Sequence, residues 1–333
     1  MRLSVLDQST VNDSMPQSQA IGESIELAKI CEQLGYYRYW VAEHHNSASV
    51  AGTAPEILIA ALSTVTSTIR LGSAGVLLHF YSPFKVAEQF SVIESIAPGR
   101  IDLGLGRAPG ADGLAARALN EHFNPATDFK EKIKELLYWT DGVPLPEDHV
   151  HAHGLVTANP LGYSSPDVWV LGSSVEGATT AAELGLPYCF AHFFNDGEHM
   201  EEALRLYKSL YVPSERFPTP YIAVCISALA ADTTEEAIRQ SRTRDHWRIG
   251  FGRNQRNPLV HPDKLPAPDY TAEEFENISK WQAKAIVGTA DQIKEKLLSM
   301  TKQYGIDEFV INTWTYDFKS RVQSYQLLSK LIK

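Results

Sequence analysis

Eight strand-like apolar runs alternate with helix-period segments along this chain, and the alternation predicts an α/β protein with a (β/α)8 TIM barrel. The runs begin near residues 2, 36, 69, 100, 168, 188, 221 and 308. The first of them ends in Leu6-Asp7-Gln8, where a doubly wound sheet would usually carry a Gly-rich phosphate turn. No internal repeat is present beyond the alternation itself. At 333 residues the chain can bury one large core or two smaller ones. The unbroken alternation favours one domain over 1–333, with a long insertion at about 242–278, a lid before the last strand.

Residues 2–6 form a short apolar strand that runs into the polar turn Asp7-Gln8-Ser9-Thr10. Ile21, Ile25, Leu27 and Ala28 have helical spacing over 19–34, and Gly35 stops that helix. The second strand, 36–42, ends in Glu43-His44-His45, and 55–65 is helical. A third strand over 69–76 contains Ser73-Ala74-Gly75. Pro83 opens the next helix, where its missing N–H costs nothing, and Pro98-Gly99 closes it. The strand over 100–105 then delivers Gly104-Leu105-Gly106-Arg107. Beyond Gly110 the sequence reads as a polar loop, then a helix over about 127–139, then an aperiodic stretch over 141–166. Residues 168–171 are a buried strand whose Gly172-Ser173-Ser174 end enters a helix running to 184. Strands at 188–193 and 221–230 follow, with a helix over 197–210 between them and another starting at Thr234. From 242 to 278 the composition shifts to Arg, Asn, Pro and His, which reads as a lid-like loop. A helix over 291–303, a strand over 308–312 and a helix over 319–332 complete the alternation.

Bulk properties narrow the function. The 30 basic and 40 acidic residues give a net charge of −10, and with no Lys/Arg run this disfavours nucleic acid and anionic membrane surfaces as partners. No apolar run approaches the length of a membrane span, and the opening Arg-Leu-Ser-Val-Leu lacks signal-peptide character. Cys31, Cys189 and Cys225 are odd in number and sit in apolar segments, as reduced core thiols do. The expectation is a cytoplasmic protein acting on a small molecule.

In such a barrel the strand C-termini line the active face. Those ends carry Leu6-Asp7, Glu43-His44-His45, Ala74-Gly75, Arg107, Ser173-Ser174, Ala191-His192, Asp232 and Trp314. Ala74-Gly75 and Gly104-Leu105-Gly106 leave room for a flat ligand close to the backbone. Ser173-Ser174 stand where strand becomes helix, so their hydroxyls and the first-turn N–H groups either cap the helix or cradle an anion. Arg107, from the neighbouring strand, offers a planar fork to a phosphate or carboxylate. Together they suggest a phosphate site after strands four and five, rather than the seven and eight usual in barrels. Glu43-His44-His45 supplies an imidazole for acid–base work or, as the rival, metal ligands. Neighbouring strand residues point to opposite sides, so the triplet cannot provide three ligands at once. His151 and His153 sit in a loop-like segment rather than at a strand end, which makes a metal hydrolase the lesser reading, and no metal is expected. No nucleophile elbow, P-loop or complete dinucleotide fingerprint is present.

YRYWVAEHH (37–45), IRLGSAGV (69–76), KVAEQF (85–90), PGRIDLGLGRAPG (98–110), VLGSS (170–174) and AAELGLPYCFAHF (181–193) together resemble the luciferase-like flavin monooxygenases. The resemblance is nearest to the single-chain, alkanal-monooxygenase-like branch related to the bacterial luciferase alpha subunit, and it spans essentially the whole chain. It implies a barrel that binds FMN, or reduced FMN supplied by a separate flavin reductase. The phosphate would lie on Arg107, Ser173, Ser174 and the amide of Val175, with His192 also at the cofactor. A non-proline cis peptide is implied at Ala74-Gly75, against the ring system. His44 matches the catalytic histidine, which handles a proton near the flavin C4a position, while Glu43, His45, Phe80 and Trp314 would line the substrate pocket. The 242–278 stretch corresponds to the family's mobile loop. The implied reaction uses O2 on a small, apolar, aldehyde-like substrate, in a homodimer formed through the early helices. Alternatives within this resemblance are a deazaflavin-dependent hydride-transfer oxidoreductase and a flavin-binding protein without catalysis. Phe80-Tyr81 stands where relatives tend to carry Asn-His, and Phe193 where many have a second histidine, so the substrate is not read from the motifs.

Overall fold

Strand-forming runs of β-branched and aromatic residues pair in parallel around a closed barrel. The computed structural model describes residues 1–107, 110, 112–122, 124, 128–149, 151, 156–162, 164–266 and 269–332. Its strands are β1 (Arg2–Asp7), β2 (Arg38–Val41), β3 (Arg70–Leu77), β4 (Ile101–Gly106), β5 (Asp167–Gly172), β6 (Tyr188–Ala191), β7 (Ile222–Ala230), β8 (Ile286–Gly288) and β9 (Glu308–Asn312). The pairing runs from β1 in order to β6, then β7 and β9, and β9 returns to β1. The eight barrel strands match the eight sequence runs. The three-residue β8 is an addition that the sequence pattern did not reveal, and it pairs with Ala228–Ala230 at the far end of β7.

The helices are α1 (Gln17–Gln33), α2 (Pro55–Val65), α3 (Pro83–Ile96), α4 (Gly113–Leu119), α5 (Phe129–Asp141), α6 (Val175–Glu183), α7 (His192–Asn195), α8 (Met200–Leu210), α9 (Thr234–Gly252), α10 (Ala272–Lys284), α11 (Ala290–Tyr304) and α12 (Phe318–Ser329). Side-chain alternation divides the strands between two cores. On β7, Ile222, Val224 and Ile226 join the outer core beneath the helices. Ala223 and Cys225 point the other way, into a barrel interior shared with Leu6, Trp40, Trp169 and Val310. The three cysteines are free and buried, as expected.

Three segments differ from the sequence expectation. The stretch at 242–278 is largely helical: α9 continues to Gly252, and α10 begins at a capping box in which Thr271 and Glu274 satisfy each other's backbone N–H groups. Arg253 ties the connection down through Glu274 (2.6 Å) and Asp269 (3.1 Å). The loop expected after Gly110 contains α4, because the Asp112 carboxylate accepts from the N–H groups of Leu114 and Ala115. The helix expected from residue 197 starts at Met200, and the short α7 precedes it. Among the described residues no helix is long and apolar enough to cross a membrane.

At the N-terminal end of the barrel the strand starts bring charges together. Arg38 bonds Asp102 (2.7 Å) and Glu308 (2.8 Å), and Arg70 bonds Asp102 and Asp167 (2.6 Å each). Trp40 Nε1 also donates to Asp102 at 2.9 Å.

Candidate functional site

The opposite end of the barrel gathers the residues singled out in the sequence. On β3 the pairing with β4 shifts register between Ala74 and Val76, and the Ala74–Gly75 peptide is cis. Backbones approach closely here. A Cβ on Gly104 would lie 2.1 Å from the Ser73 carbonyl oxygen, and one on Gly75 would lie 2.7 Å from the Gly104 oxygen. Only glycine fits either position without moving backbone. The result is a wall with little side chain on it.

Beside that wall, β5 ends at Gly172, where an added Cβ would meet nothing within 4 Å. Ser174 caps α6, its Oγ accepting from the Gly177 N–H at 3.2 Å. The Tyr188 hydroxyl fixes the turn by donating to the carbonyls of Gly172 (3.0 Å) and Ser174 (3.3 Å). Val175 and Glu176 occupy the first turn, where N–H groups have no acceptor within the helix. Arg107, half-exposed beyond β4, reaches across to the Glu176 carboxylate. The arginine and the helix N-terminus therefore meet at one place, although Ser174 also serves as an ordinary cap.

Glu43, His44 and His45 lie just past β2. The buried Glu43 carboxylate accepts from His45 Nε2 (2.8 Å), the Tyr81 hydroxyl (2.6 Å) and the Leu77 N–H (2.9 Å). His44 stands apart from this network. Its backbone N–H donates to the Gly52 carbonyl at 2.8 Å, but its ring Nδ1 is buried without a hydrogen-bond partner. Burial pulls the imidazole pKa down to about 4, with Glu43 opposing and His45 reinforcing the shift, so the ring is neutral near pH 7. Burial and the bond to Glu43 push the Tyr81 hydroxyl well above its ordinary value.

On the far side, Trp314 follows β9 and donates from Nε1 to Gln8 Oε1 (2.8 Å), which Asn312 Nδ2 also approaches (2.7 Å). Its ring lies 4.6 Å from Trp247 of α9. His192, whose pKa burial lowers, shares with Trp314 a cavity of about 40 Å³ that Ser227, Arg244 and Trp281 also line. Phe80 is buried and packs with Leu77 and Ala116 of α4. Its neighbour Tyr81 is the residue that reaches Glu43. Sequence reasoning assigned no role to Gln8 or Arg244 and marked Tyr81 only, with Phe80, as a departure from relatives that bears on the substrate. Gln8 could have been flagged by its place in the first strand-end turn, whereas Arg244 carries no motif. His153 of the His-x-His pair lies outside the described residues. Among the described residues no three His, Cys, Asp or Glu side chains gather as a metal site.

A family model described as luciferase-like monooxygenase matches residues 1–308. The luciferase-like monooxygenase of Escherichia coli (strain K12) is 35% identical, covering 97% of this chain and 95% of its own length. The N-acetyl-S-alkylcysteine monooxygenase of Bacillus subtilis (strain 168) is 34% identical, over 100% of this chain and 98% of that one. The crystal structure of apo-MsnO8 superimposes with a TM-score of 0.88 at 33% identity, covering 99% of this chain and 97% of the other.

Proposed function

This chain belongs to the luciferase-like monooxygenase family and is a flavin-dependent monooxygenase, and from that premise we propose that its flavin is FMN, taken up reduced from a separate flavin reductase. One observation carries the proposal: adjacent strand ends bring Arg107 and the N-terminus of α6 together. A guanidinium fork beside free helix N–H groups suits a phosphate monoester such as the one that ends FMN. Ser173, Ser174 and the Val175 amide complete the cradle. The bare wall at Ala74, Gly75 and Gly104 accepts a planar ring, and the unpartnered Nδ1 of His44 is a buried polar atom awaiting a ligand.

When bound, the flavin supplies the electrons and the reaction with O2. The protein's part is to hold, orient and exclude water. His44, neutral near pH 7, takes up a proton at a ring nitrogen and so acts as base rather than acid. Glu43 holds His45 and Tyr81 beside it. His192 and Trp314 close the opposite side. The substrate is small, with an apolar, aldehyde-like reacting part. A deazaflavin-dependent hydride transfer is the alternative within this superfamily, and the acidic balance of the chain disfavours it mildly. The three buried free thiols fit a reducing cytoplasm. Exposed Ile57 and Val65 on α2 and Val92 and Ile96 on α3 offer a homodimer its apolar face. The chain would act as a single domain.

Titration of the purified protein with FMN and with photoreduced FMN, followed by fluorescence and absorbance, tests this. The reduced form is expected to bind tightly, and Arg107→Ala to weaken it at least tenfold. Failure of both forms to bind, or indifference to Arg107→Ala, removes the phosphate site and the FMN assignment with it.

A further inference from the structure

The cavity beside His192 and Trp314 holds a cation that its own protein leaves nearly unanswered. Arg244 lies on α9, and its one hydrogen bond among the described residues is a long one, from Nη2 to the Phe193 carbonyl at 3.3 Å. No carboxylate of a described residue forms an ion pair with it within 4 Å. Both nearby acids are already engaged. Asp196 accepts from both terminal nitrogens of Arg248, at 3.3 and 2.9 Å, and Arg248 stacks on Trp281 at 4.0 Å. Asp245 accepts from Gln282 at 3.2 Å, and burial raises its carboxyl pKa, which weakens it further as a counter-ion. Burial, with Arg248 adding to it, pulls Arg244 down to about 10, so it remains charged near pH 7. Lys284 adds a second cation to the same wall.

Enclosed charges are normally paired, because an unpaired one carries its desolvation cost unopposed. A guanidinium with most of its N–H donors free presents a planar fork that matches a two-oxygen anion. Ser227, inward-facing by its alternation with Ala223 and Cys225 on β7, adds a hydroxyl beside it. At about 40 Å³ the cavity has several times the room of one water, about 10–15 Å³. That is space for a head group and too little for a whole substrate. Phe193, Leu229 and Trp314 on the same wall suit an apolar body attached to that head.

We propose that this cavity is a subsite for a carboxylate on the substrate and that Arg244 receives it. The inference rests on the monooxygenase reading above and adds the substrate class: a small acid whose remainder is apolar.

Because Trp281 and Trp314 line the cavity, tryptophan fluorescence reports its occupation. The probes are hexanoate, hexanal and hexylamine, matched in chain length and titrated at low ionic strength into the wild type, Arg244→Gln and Arg244→Lys. Hexanoate is expected to bind at least tenfold more tightly than hexanal and hexylamine. Arg244→Gln abolishes that preference while leaving hexanal binding unchanged, and Arg244→Lys restores part of it. Equal binding of hexanoate and hexanal by the wild type overturns the subsite even if no variant folds. So does hexanoate binding that survives Arg244→Gln. Reduced FMN is titrated into the same preparations. Its binding without a hexanoate preference sinks the subsite alone, whereas a hexanoate preference without FMN binding sinks the cofactor assignment alone.

Discussion

The two ends of this barrel treat buried charge in opposite ways. At the N-terminal end Arg38 is enclosed by Asp102, Glu308 and the ring of Trp169. Those carboxylates raise its pKa against the pull of burial. The charges there answer one another, and the group left over is a neutral one, Trp169 Nε1. At the C-terminal mouth His44 Nδ1 has no partner and Arg244 has a single long bond to a carbonyl. Arg38 is buried and Arg244 partly buried, and the two differ in how far the charge is paired. Unpaired groups cost stability and are kept where a ligand completes them.

The sharpest way to break this contrast is to remove an arginine from each end. Arg38→Gln leaves the buried Glu308 without its cation and Asp102 with Arg70 alone, and should cost about 3–5 kcal/mol, read as a lower urea midpoint at unchanged slope. Arg244→Gln removes a charge that has no ion pair, so its unfolding free energy should stay within about 1 kcal/mol of wild type or rise. Equal losses at the two ends would dissolve the distinction.

Gly104→Ala probes the wall between them. Its Cβ has backbone, not a flexible side chain, 2.1 Å away, so β3 and β4 must move apart. Overpacking of this kind costs about 1–3 kcal/mol and should also weaken flavin binding, because the wall itself is displaced. The check is a pair of measurements, thermal unfolding and FMN titration, on the one variant.

His44 supplies a pH signature in the range below the ordinary imidazole value, whereas that of the N-terminal network comes from Asp102, which Arg38 and Arg70 hold below the usual carboxylate range against burial. Its folded pKa, about 4, lies below the unfolded imidazole value of about 6.5. Between those values the unfolded chain binds more protons than the folded one, so stability falls as pH drops from about 6.5 to about 4. The loss from this group is on the order of 3 kcal/mol, and His44→Gln should flatten that part of the stability–pH curve. The acid limb of kcat/KM should likewise lie well below the ordinary histidine range. A limb near 6.5 in the wild type would show that His44 titrates as if exposed.

How far the two ends were legible in the sequence follows from the kind of interaction at each. Strand alternation and strand-end composition exposed the barrel, the approach of Arg107 to the start of α6 and the Glu43–His45 cluster, since each depends on the order of strand ends around the barrel or on residues near one another along a strand. The partners that fix them are distant in the chain: Tyr81 meets Glu43 across 38 positions and Trp314 meets Gln8 across 306. Helix α10 was missed because none of its residues is buried and its apolar Phe275, Ile278 and Trp281 lie within a polar stretch that reads as loop. Arg244 was hidden by the same cause, a polar run along α9 that reads as loop.

The smallest expected effect sharpens the comparison at the proposed phosphate cradle. Arg107 is half-exposed and paired with Glu176, a contact in water-accessible surroundings that contributes little to folding. Glu176 also sits in the first turn of α6, where a carboxylate favours the helix dipole by about 0.3–1 kcal/mol. Glu176→Gln should therefore change unfolding by less than about 1 kcal/mol. Its effect on binding has the opposite sign. The carboxylate occupies the arginine fork that a phosphate would use and repels a dianion, so its removal should tighten FMN binding roughly three- to tenfold, about 1 kcal/mol. The gain should shrink with added salt, as exposed electrostatics do. Weaker FMN binding in Glu176→Gln would mean that this carboxylate orients Arg107 for the phosphate instead of competing with it.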